Sequence, residues 1–343
     1  MMVPGDFEAV ARERLQPAVY DYFAGGADDQ ITVGDNPLAW QRVKLRPRVL
    51  RDVSSVDTRT ALLGAPVAAP IGIAPMAAHR LVHEEAECAT ARGAADADML
   101  YVVSAMATCS MEEIAERVPE VARWFQLYVH GDLDRARALV RRAEASGYTA
   151  LVVTVDVPIL GFRRQEGVPL EQRVELAHFP RPAGDGVSVE DRHVALTFDD
   201  LATIVSWTTL PVLAKGVLRA DDAAACVRAG VAGIVVSNHG GRQLDTTIDP
   251  PTALAEIAAA VGDVAEIYVD GGIRRGTDVV KAMALGAHGV LVGRPVIWGL
   301  AARGADGVRT VLVELRTELE RAMKLCGART LDELTSDLVV GPS

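Results

Sequence analysis

Aromatic residues and cysteines are scarce in this chain of 343 residues. Phe, Trp and Tyr together make up 5% of it, so we expect a core packed from Ala, Val, Leu and Ile. The four cysteines are widely scattered and have no metal-type spacing: Cys88, Cys109, Cys226 and Cys326. This usage argues against a disulfide scaffold or a metal site. It is typical of a reducing compartment, where thiols are buried and free.

An excess of basic charge and long apolar runs are also missing. The formal net charge is −11 and the pI is near 5.2, which argues against nucleic acid as a partner because phosphate binding needs a basic face. No uninterrupted apolar run approaches the ~18 residues that a membrane span needs. Asp6, Glu8 and Arg12 interrupt any apolar segment of the signal-peptide kind. We therefore expect a soluble, cytoplasmic protein that binds no nucleic acid and no membrane.

Apolar runs alternate with helix-like segments from residue 66 onwards. The predicted strands are 66–74, 100–105, 124–129, 150–157, 211–216, 233–237, 266–270 and 289–293. The predicted helices between and after them are 84–95, 111–118, 133–146, 199–208, 221–229, 252–261, 277–285 and 307–325. Alternation of this kind predicts right-handed βαβ units and a parallel sheet. Eight strands in about 230 residues match a closed (β/α)₈ TIM barrel.

A doubly wound open sheet is the alternative architecture. Against it, no G-x-G-x-x-G motif follows the first strand with an acidic residue some 20 positions later. We predict a single α/β domain over 1–343, with an N-terminal helical and irregular extension (1–65), the barrel (66–300), and a C-terminal helix and tail (301–343). Residues 6–24 are predicted as one helix that ends at Gly25-Gly26, and 25–65 as irregular chain with turns at Asn36-Pro37 and Arg46-Pro47.

Polar and ionisable residues follow the carboxyl end of almost every predicted strand, whereas the strand bodies are apolar. In chain order they are Ser104, Gln126, Tyr128, Thr154, Asp156, Lys215, His239, Asp270, Arg274 and Arg294. The carboxyl ends of the strands in a barrel meet at one rim, where the active sites of these folds lie. A rim that serves only the fold does not need these groups. The pattern therefore predicts an enzyme.

The sixth strand leads into a turn that carries a histidine and an arginine, in the run Gly233 to Asp245. His239 can move a proton near neutral pH, Arg242 can bind a carboxylate with both of its terminal nitrogens, and Gly240-Gly241 allow a sharp turn. This combination predicts chemistry on a small organic acid. The alternative is a surface histidine with a purely structural partner.

The ends of the seventh and eighth strands have the composition of a phosphate site. Three glycines and two arginines meet there: Gly271, Gly272, Gly293, Arg274 and Arg294. Barrels commonly bind phosphate at this location. With Lys215 at the end of the fifth strand, the site suggests a phosphorylated cofactor across the barrel mouth. The alternatives are glycines that only make tight turns and a lysine that only pairs with Asp270.

The same residues resemble the motifs of a known family, the FMN-dependent L-2-hydroxy acid oxidases and dehydrogenases, which include glycolate, lactate and mandelate oxidases. The motifs occur in order along nearly the whole chain: Tyr20–Phe23 with Gly25–Ala27, Gln126–Tyr128, Thr154–Pro158, Gly161–Arg164, Ser237–Asp245 and Asp270–Arg274. The resemblance implies FMN as the cofactor, and a homotetramer is common in the family.

The resemblance also implies roles for single residues. His239 matches the catalytic base, Asp156 the residue that orients it, and Tyr128 a hydrogen-bond donor to the substrate oxygen. Arg163 and Arg242, helped by Tyr22, match the substrate carboxylate clamp. The positions that match FMN contacts are Ala77, Ser104, Gln126, Thr154, Lys215, Ser237, Asp270, Gly272, Arg274, Gly293 and Arg294.

Two of the assignments leave an alternative, and several other residues are given no role in the site. Tyr22 could only pack the N-terminal helix on the barrel, and Asp156 could be structural. Arg164 is interpreted as a surface ion pair. Cys109 is interpreted as a small buried residue, and no chemistry is assigned to the other histidines: His79, His83, His130, His178, His193 and His288.

Departures from the family pattern bear on specificity. Met106 stands where glycolate oxidases carry a bulky tryptophan, which favours a mandelate-like substrate. Ala77 is typical of oxidases, whereas some dehydrogenases of the family have glycine there. The loop 165–193 is charged and predicts a soluble, mobile lid that is short for the family.

We expect an (S)-2-hydroxy acid oxidase that transfers electrons to O₂ and makes H₂O₂. The alternatives are a dehydrogenase with a quinone or protein acceptor, a glycolate or lactate oxidase, and a flavin-binding protein without turnover. The choice between hydride transfer and a carbanion mechanism stays open.

Overall fold

A closed barrel of eight parallel strands forms the centre of the computed structural model, which describes residues 6–129, 133–164, 174–179 and 196–340. The barrel strands are β4 (Ile71–Ile73), β5 (Leu100–Ser104), β6 (Arg123–Leu127), β7 (Leu151–Thr154), β8 (Val212–Val217), β9 (Gly233–Val236), β10 (Glu266–Val269) and β11 (Gly289–Val292). Each pairs with the next, and β11 closes the ring on β4 through Val290 and Ile71. The predicted TIM barrel is confirmed.

Helices surround the barrel. They are α1 (Asp6–Arg14), α2 (Pro17–Ala24), α3 (Ile31–Arg42), α4 (Ala86–Ala95), α5 (Met111–Arg117), α6 (Leu133–Ala145), α7 (Phe198–Val205), α8 (Ala220–Arg228), α9 (Pro250–Val261), α10 (Gly276–Ala284) and α11 (Arg294–Cys326). The last helix starts at residue 294, well before the predicted residue 307. It kinks at Arg303 and Gly304, and it packs against α4, α1 and α10.

The prediction for residues 25–65 was wrong, because helix α3 lies within them. The helix lacks a local capping side chain, and its first N–H groups instead reach Asp245 from the β9 loop. The carboxylate of Asp245 accepts hydrogen bonds from the backbone N–H groups of Ile31 (3.2 Å) and Thr32 (2.7 Å). A helix N-terminus needs such acceptors, and here they come from a distant part of the chain. The helix continues through Pro37.

Two other predicted elements are divided in the structure. The single helix predicted over 6–24 is broken before Pro17, which takes the first position of α2, where proline is favoured. The strand predicted over 66–74 splits into β3 (Ala65–Val67), which pairs with β2 (Thr60–Leu62), and barrel strand β4. Leu63 and Gly64 both have positive φ, as a two-residue hairpin turn requires. The short strands β1 (Lys44–Leu45) and β12 (Val339–Val340) pair antiparallel.

The barrel interior is a continuous apolar core below a polar rim. Side chains that alternate along the strands form one buried cluster, in which Trp124 and Tyr268 meet edge to face at 5.2 Å. Leu62 and Val67 of the β2–β3 hairpin join this cluster and close the bottom of the barrel. Val102, Trp124 and Leu213 belong to this cluster, and two residues further along the same strands stand Ser104, Gln126 and Lys215. The period of two therefore carries polar side chains to the carboxyl rim.

No helix in these described segments is long and apolar enough to cross a membrane. The predicted lid at 165–193 lies outside the described residues except for 174–179. There the backbone N–H of Ala177 donates to Ala107 O at 2.9 Å, which joins this segment to the β5 loop.

Candidate active site

A cavity of about 1200 Å³, open at its mouth, lies at the carboxyl ends of the barrel strands. Most of the predicted site residues line it: Tyr22, Ala77, Ser104, Met106, Tyr128, Thr154, Arg163, Lys215, His239, Arg242, Asp270, Gly272, Arg274, Gly293 and Arg294. Asp156, Gln126 and Ser237 are not part of the wall, and each supports a side chain that is. The structure thus brings residues from all eight strand ends to one place.

His239 lies between an acid and a phenol. Its Nδ1 is 3.0 Å from both carboxylate oxygens of Asp156, and its Nε2 is 3.3 Å from the Tyr128 hydroxyl. The residue has φ of 57°, and the two glycines that follow also have positive φ, so the chain turns back directly after the imidazole. A Cβ on Gly241 would lie 2.6 Å from the backbone N of Val33, which explains the need for glycine there.

Burial and neighbouring charges set the protonation of this group. Burial lowers the pKa of His239, while the Asp156 carboxylate opposes that shift. Burial alone would raise the pKa of Asp156, but the His239 imidazole, its hydrogen bond and the Lys215 ammonium together lower it. Asp156 is therefore ionised and holds the proton of His239 on Nδ1. The neutral Nε2 faces the cavity as a proton acceptor.

Two arginines and a tyrosine form the wall beside His239. Arg242 Nη1 donates to the carbonyl oxygens of Tyr22 (2.6 Å) and Gly25 (3.1 Å), and its guanidinium lies 5.0 Å from the centre of the Tyr22 ring. Arg163 Nε donates to the backbone carbonyl of Arg242 at 3.2 Å, and both arginines line the cavity. Arg164 instead pairs with Asp29 at 2.8 Å on the exposed surface, which confirms the surface ion pair predicted for it.

A hydrogen-bonded polar layer lies on top of the apolar core at β5, β6 and β7. The Gln126 oxygen Oε1 accepts from the Ser104 hydroxyl and from the backbone N–H of Ala105, both at 3.2 Å, and Nε2 donates to the Thr154 hydroxyl at 3.0 Å. Because every partner of Gln126 lies at a strand end, the amide fixes the positions of Ser104 and Thr154 on the cavity wall.

Lys215 is held from two sides. Its ammonium donates to Ser237 Oγ at 2.9 Å and pairs with Asp270 Oδ2 at 3.1 Å. Both members of the ion pair are almost fully buried, and the backbone N–H of His239 also donates to Ser237 Oγ at 3.0 Å. The other carboxylate oxygen of Asp270, Oδ1, is buried without a hydrogen-bond partner. A buried acceptor of this kind needs a donor, and Asp270 lines the cavity.

The side of the cavity formed by the ends of β10 and β11 is positively charged. Arg294 donates to the backbone carbonyls of Phe23, Gly240 and Gly25, and Arg274 to that of Ile273. Burial, with the charges of Arg242 and Arg274, lowers the pKa of Arg294 to about 9, and burial lowers that of Arg274. Within the described residues neither guanidinium has a carboxylate within 4.0 Å. The site is therefore suited to an anion.

Some contributors have no role assigned from the sequence. Gln243 donates to the carbonyls of Asp156 and Ile159, both at 3.0 Å, and so fixes the loop that carries Asp156. Gly216, with φ of 102°, leaves space for the same aspartate, because a Cβ there would lie 2.3 Å from Asp156 Cγ. A glycine inside a strand is the available signal for such close approach. Gln243 offers no comparable signal beyond its place in the motif.

Comparisons with known proteins agree with this geometry. A family model described as FMN-dependent dehydrogenase matches residues 11–341. The chain is 45% identical over 339 residues to 2-hydroxyacid oxidase 2 of Homo sapiens, with 97% of each chain covered. It is 44% identical over 352 residues to L-lactate oxidase of Nostoc sp., with 97% of this chain and 96% of that one covered. A crystal structure of mandelate oxidase with (S)-4-hydroxymandelic acid has a TM-score of 0.92 at 41% identity, covering 99% of this chain and 98% of that one.

Proposed function

The chain belongs to the FMN-dependent dehydrogenase family and acts on 2-hydroxy acids with FMN as its cofactor, and we propose that its substrate is an aromatic (S)-2-hydroxy acid. We further propose O₂ as the electron acceptor, so that the products are a 2-oxo acid and H₂O₂. The observation that carries the action on a 2-hydroxy acid is the convergence of the His239–Asp156 pair, Tyr128 and two arginines on one cavity.

The residues present fit FMN. Arg274 and Arg294 carry buried positive charge without a carboxylate contact, which suits a phosphate group. The unpartnered Asp270 Oδ1 suits a hydroxyl donor such as those of a ribityl chain. Ala77, Ser104, Thr154, Lys215, Gly272 and Gly293 line the cavity and would hold the rest of the group, with Gln126 and Ser237 behind them. When bound, FMN supplies the acceptor for two electrons from the substrate.

The proposed base is Nε2 of His239. It takes a proton from the substrate, either from the hydroxyl group or from the α-carbon, and Asp156 stabilises the imidazolium that forms. Tyr128, whose pKa is raised by burial, stays protonated and donates a hydrogen bond to the substrate oxygen. The 3.3 Å between its hydroxyl and Nε2 of His239 leaves both groups aimed at the same point of the cavity.

Arg163 and Arg242 are the proposed clamp for the substrate carboxylate. The hydrogen bond from Arg163 Nε to the backbone carbonyl of Arg242 fixes the Arg163 side chain to the loop that carries Arg242, and both arginines line the same cavity. Paired cations that share one anion give charge-assisted hydrogen bonds and fix the orientation of the acid. Tyr22, which packs against the Arg242 guanidinium, adds a hydroxyl to the same wall. The α-carbon of the bound acid would then face His239, because that residue lines the same cavity as both arginines.

The preference for an aromatic side chain rests on the apolar part of the cavity. Met106 is almost fully buried. It lines this part of the cavity together with Met76, Val157 and Leu160. Flexible thioethers adapt to large side chains. The similarity to a mandelate oxidase that was solved with (S)-4-hydroxymandelic acid supports this choice. Small substrates are the alternative, because one of the curated relatives is named an L-lactate oxidase.

Steady-state kinetics on glycolate, lactate, mandelate and 4-hydroxymandelate test the substrate. We expect the highest kcat/KM for the two aromatic acids, and a preference for glycolate or lactate would contradict the proposal. Ala77 lines the cavity and supports O₂ as the acceptor. Turnover in air with stoichiometric H₂O₂ is expected, whereas turnover only with an added quinone or dye would identify a dehydrogenase.

We also propose a homotetramer, on family resemblance, and a cytoplasmic location. Light scattering on the purified holoenzyme tests the first, with the mass of four chains expected. Fractionation of the source cells tests the second.

A further inference from the structure

Two cysteines that are distant in sequence meet behind the β5 end of the barrel. Cys88 lies on α4, and Cys109 lies in the loop between β5 and α5. Their Sγ atoms and a carboxylate oxygen of Glu113 all lie within 4.8 Å of one another. Both thiols are free and buried. Sequence spacing does not reveal this proximity, which depends on the packing of α4 against the barrel.

The surroundings of the pair favour a thiolate. A hydrogen bond from the Cys109 thiol lowers the pKa of Cys88, and the Arg117 guanidinium acts in the same direction against burial and the Glu113 carboxylate. Arg80 Nη2 lies 3.5 Å from Cys109 Sγ. Two neighbouring guanidinium groups stabilise negative charge on sulfur and disfavour a divalent metal ion at this place.

The other two cysteines provide an internal contrast. Burial raises the pKa of Cys226 to about 11 and also raises that of Cys326. Among the described residues, neither of these cysteines belongs to a cluster of the kind that Cys88, Cys109 and Glu113 form. Low thiolate character makes such cysteines inert. Reaction with an oxidant should therefore begin at Cys88. The hydrogen bond with Cys88 and burial raise the pKa of Cys109, which keeps this neighbour as the thiol of the pair.

The junction that holds the pair is hydrogen-bonded and borders the active-site cavity. The buried Glu87 carboxylate, adjacent to Cys88, accepts hydrogen bonds from the backbone N–H groups of Thr108 (3.0 Å) and Cys109 (2.9 Å). These bonds tie α4 to the β5 loop whatever the state of the sulfurs. The same loop carries Met106 on the cavity wall, and the exposed Arg80 lies directly against the Cys109 sulfur.

We propose that Cys88 and Cys109 form a reversible disulfide in which H₂O₂ is the oxidant. This source of oxidant rests on the proposed oxidase function. The Cys88 thiolate attacks one peroxide oxygen, the O–O bond breaks, and a sulfenic acid and hydroxide form. The Cys109 thiol then attacks the sulfenic sulfur, the S–S bond forms, and water leaves with the Cys109 proton. The hydroxide takes up the proton that Cys88 released on ionisation, so in total two thiols lose two electrons and H₂O₂ becomes two waters. Closure of the sulfurs to about 2.05 Å requires a local shift of Cys109.

Peptide mapping of the wild-type holoenzyme tests the disulfide directly. The protein is reduced, freed of reductant, exposed to a few equivalents of H₂O₂, alkylated under denaturing conditions and digested. We expect one cross-linked peptide that joins Cys88 to Cys109, with Cys226 and Cys326 alkylated, and full reversal by dithiothreitol. Four alkylated cysteines, or oxidation spread evenly over all four, would overturn the proposal.

Variants separate the two chemical steps. In Cys109→Ser the Cys88 sulfenic acid should persist and react with dimedone, whereas Cys88→Ser should show no such adduct. The matched control is the double variant Cys226→Ser/Cys326→Ser, which should form the cross-link as the wild type does. A dimedone adduct on Cys109 but not on Cys88 contradicts the assigned order.

Turnover in air distinguishes the failure of this proposal from failure of the proposed function. Released peroxide is measured in the same sample, with and without catalase. Peroxide release without cross-linking overturns the disulfide proposal, and so does added H₂O₂ that leaves the thiols free. A cross-link with added H₂O₂ but no peroxide release during turnover overturns the oxidase assignment alone.

Discussion

Nδ1 of His239 lies 3.0 Å from each carboxylate oxygen of Asp156, and this pair connects the ends of β9 and β7 across the barrel mouth. The carboxylate holds the imidazole in the tautomer that leaves Nε2 free of a proton. The geometry therefore explains how one histidine can act as a base although burial disfavours its charged form.

Asp156→Asn should lower kcat about 10²- to 10⁴-fold, because proton transfer from a positioned side chain contributes about that much. It should also change the pH profile. The wild-type kcat/KM should fall in acid, since protonation of His239 removes the base. Because burial lowers the pKa of His239, this fall should lie below the ordinary histidine range. Asp156 raises the pKa of His239, so its loss should move this acid limb to lower pH. Asp35→Asn, at an exposed ion pair with Arg42, is the control and should leave the profile unchanged.

Arg163→Met should raise KM for the hydroxy acid about 10- to 100-fold, the loss expected for a hydrogen bond to a charged group of 1.5–3 kcal/mol. The matched control is Arg164→Met, at the adjacent arginine, which pairs with Asp29 on the surface. Steady-state kinetics with a single substrate compare the two variants. Equal effects at both positions would count against the clamp.

Gly216→Ala should displace Asp156 and so reduce kcat while FMN stays bound. The added Cβ would lie 2.3 Å from Asp156 Cγ, at a φ of 102° that costs a non-glycine residue about 1–3 kcal/mol. Gly34→Ala, where nothing lies within 4 Å of the added Cβ, is the control for the substitution itself. Flavin absorbance, kcat and the melting temperature are measured on both. Full activity in Gly216→Ala contradicts the role given to this glycine.

Met106→Trp should shift the substrate preference from aromatic to small hydroxy acids. Met106 lines the cavity, and a tryptophan there fills space that an aromatic substrate would need. We expect kcat/KM for mandelate to fall about 10- to 100-fold relative to lactate, within the 1–3 kcal/mol that pocket volume can discriminate. The ratio of the two constants is the readout. An unchanged ratio would place the substrate side chain elsewhere.

The barrel and most of its rim could be predicted from the sequence because their signals are local. Apolar strands that alternate with helices, and polar residues at almost every strand end, predict that Ser104, Lys215 and His239 lie at one rim, and all three line the cavity. The fold, the family and FMN are confirmed. The roles of single residues stay predictions.

What could not be predicted depends on contacts between distant parts of the chain. Helix α3 was missed because its cap, Asp245, comes from the β9 loop. The approach of Gly216 to Asp156 and the proximity of Cys88 to Cys109 are set by how the strands and helices pack, and neither spacing nor composition encodes them.

Anaerobic reduction of the holoenzyme tests the central claim most directly. Wild-type protein and His239→Ala are mixed with (S)-mandelate in the absence of O₂, and flavin absorbance is followed by stopped flow. We expect rapid bleaching of the wild type. We expect the variant to keep its yellow FMN but to bleach at least 100-fold more slowly, the loss expected when a general base is removed. Bleaching of His239→Ala at the wild-type rate would contradict this claim.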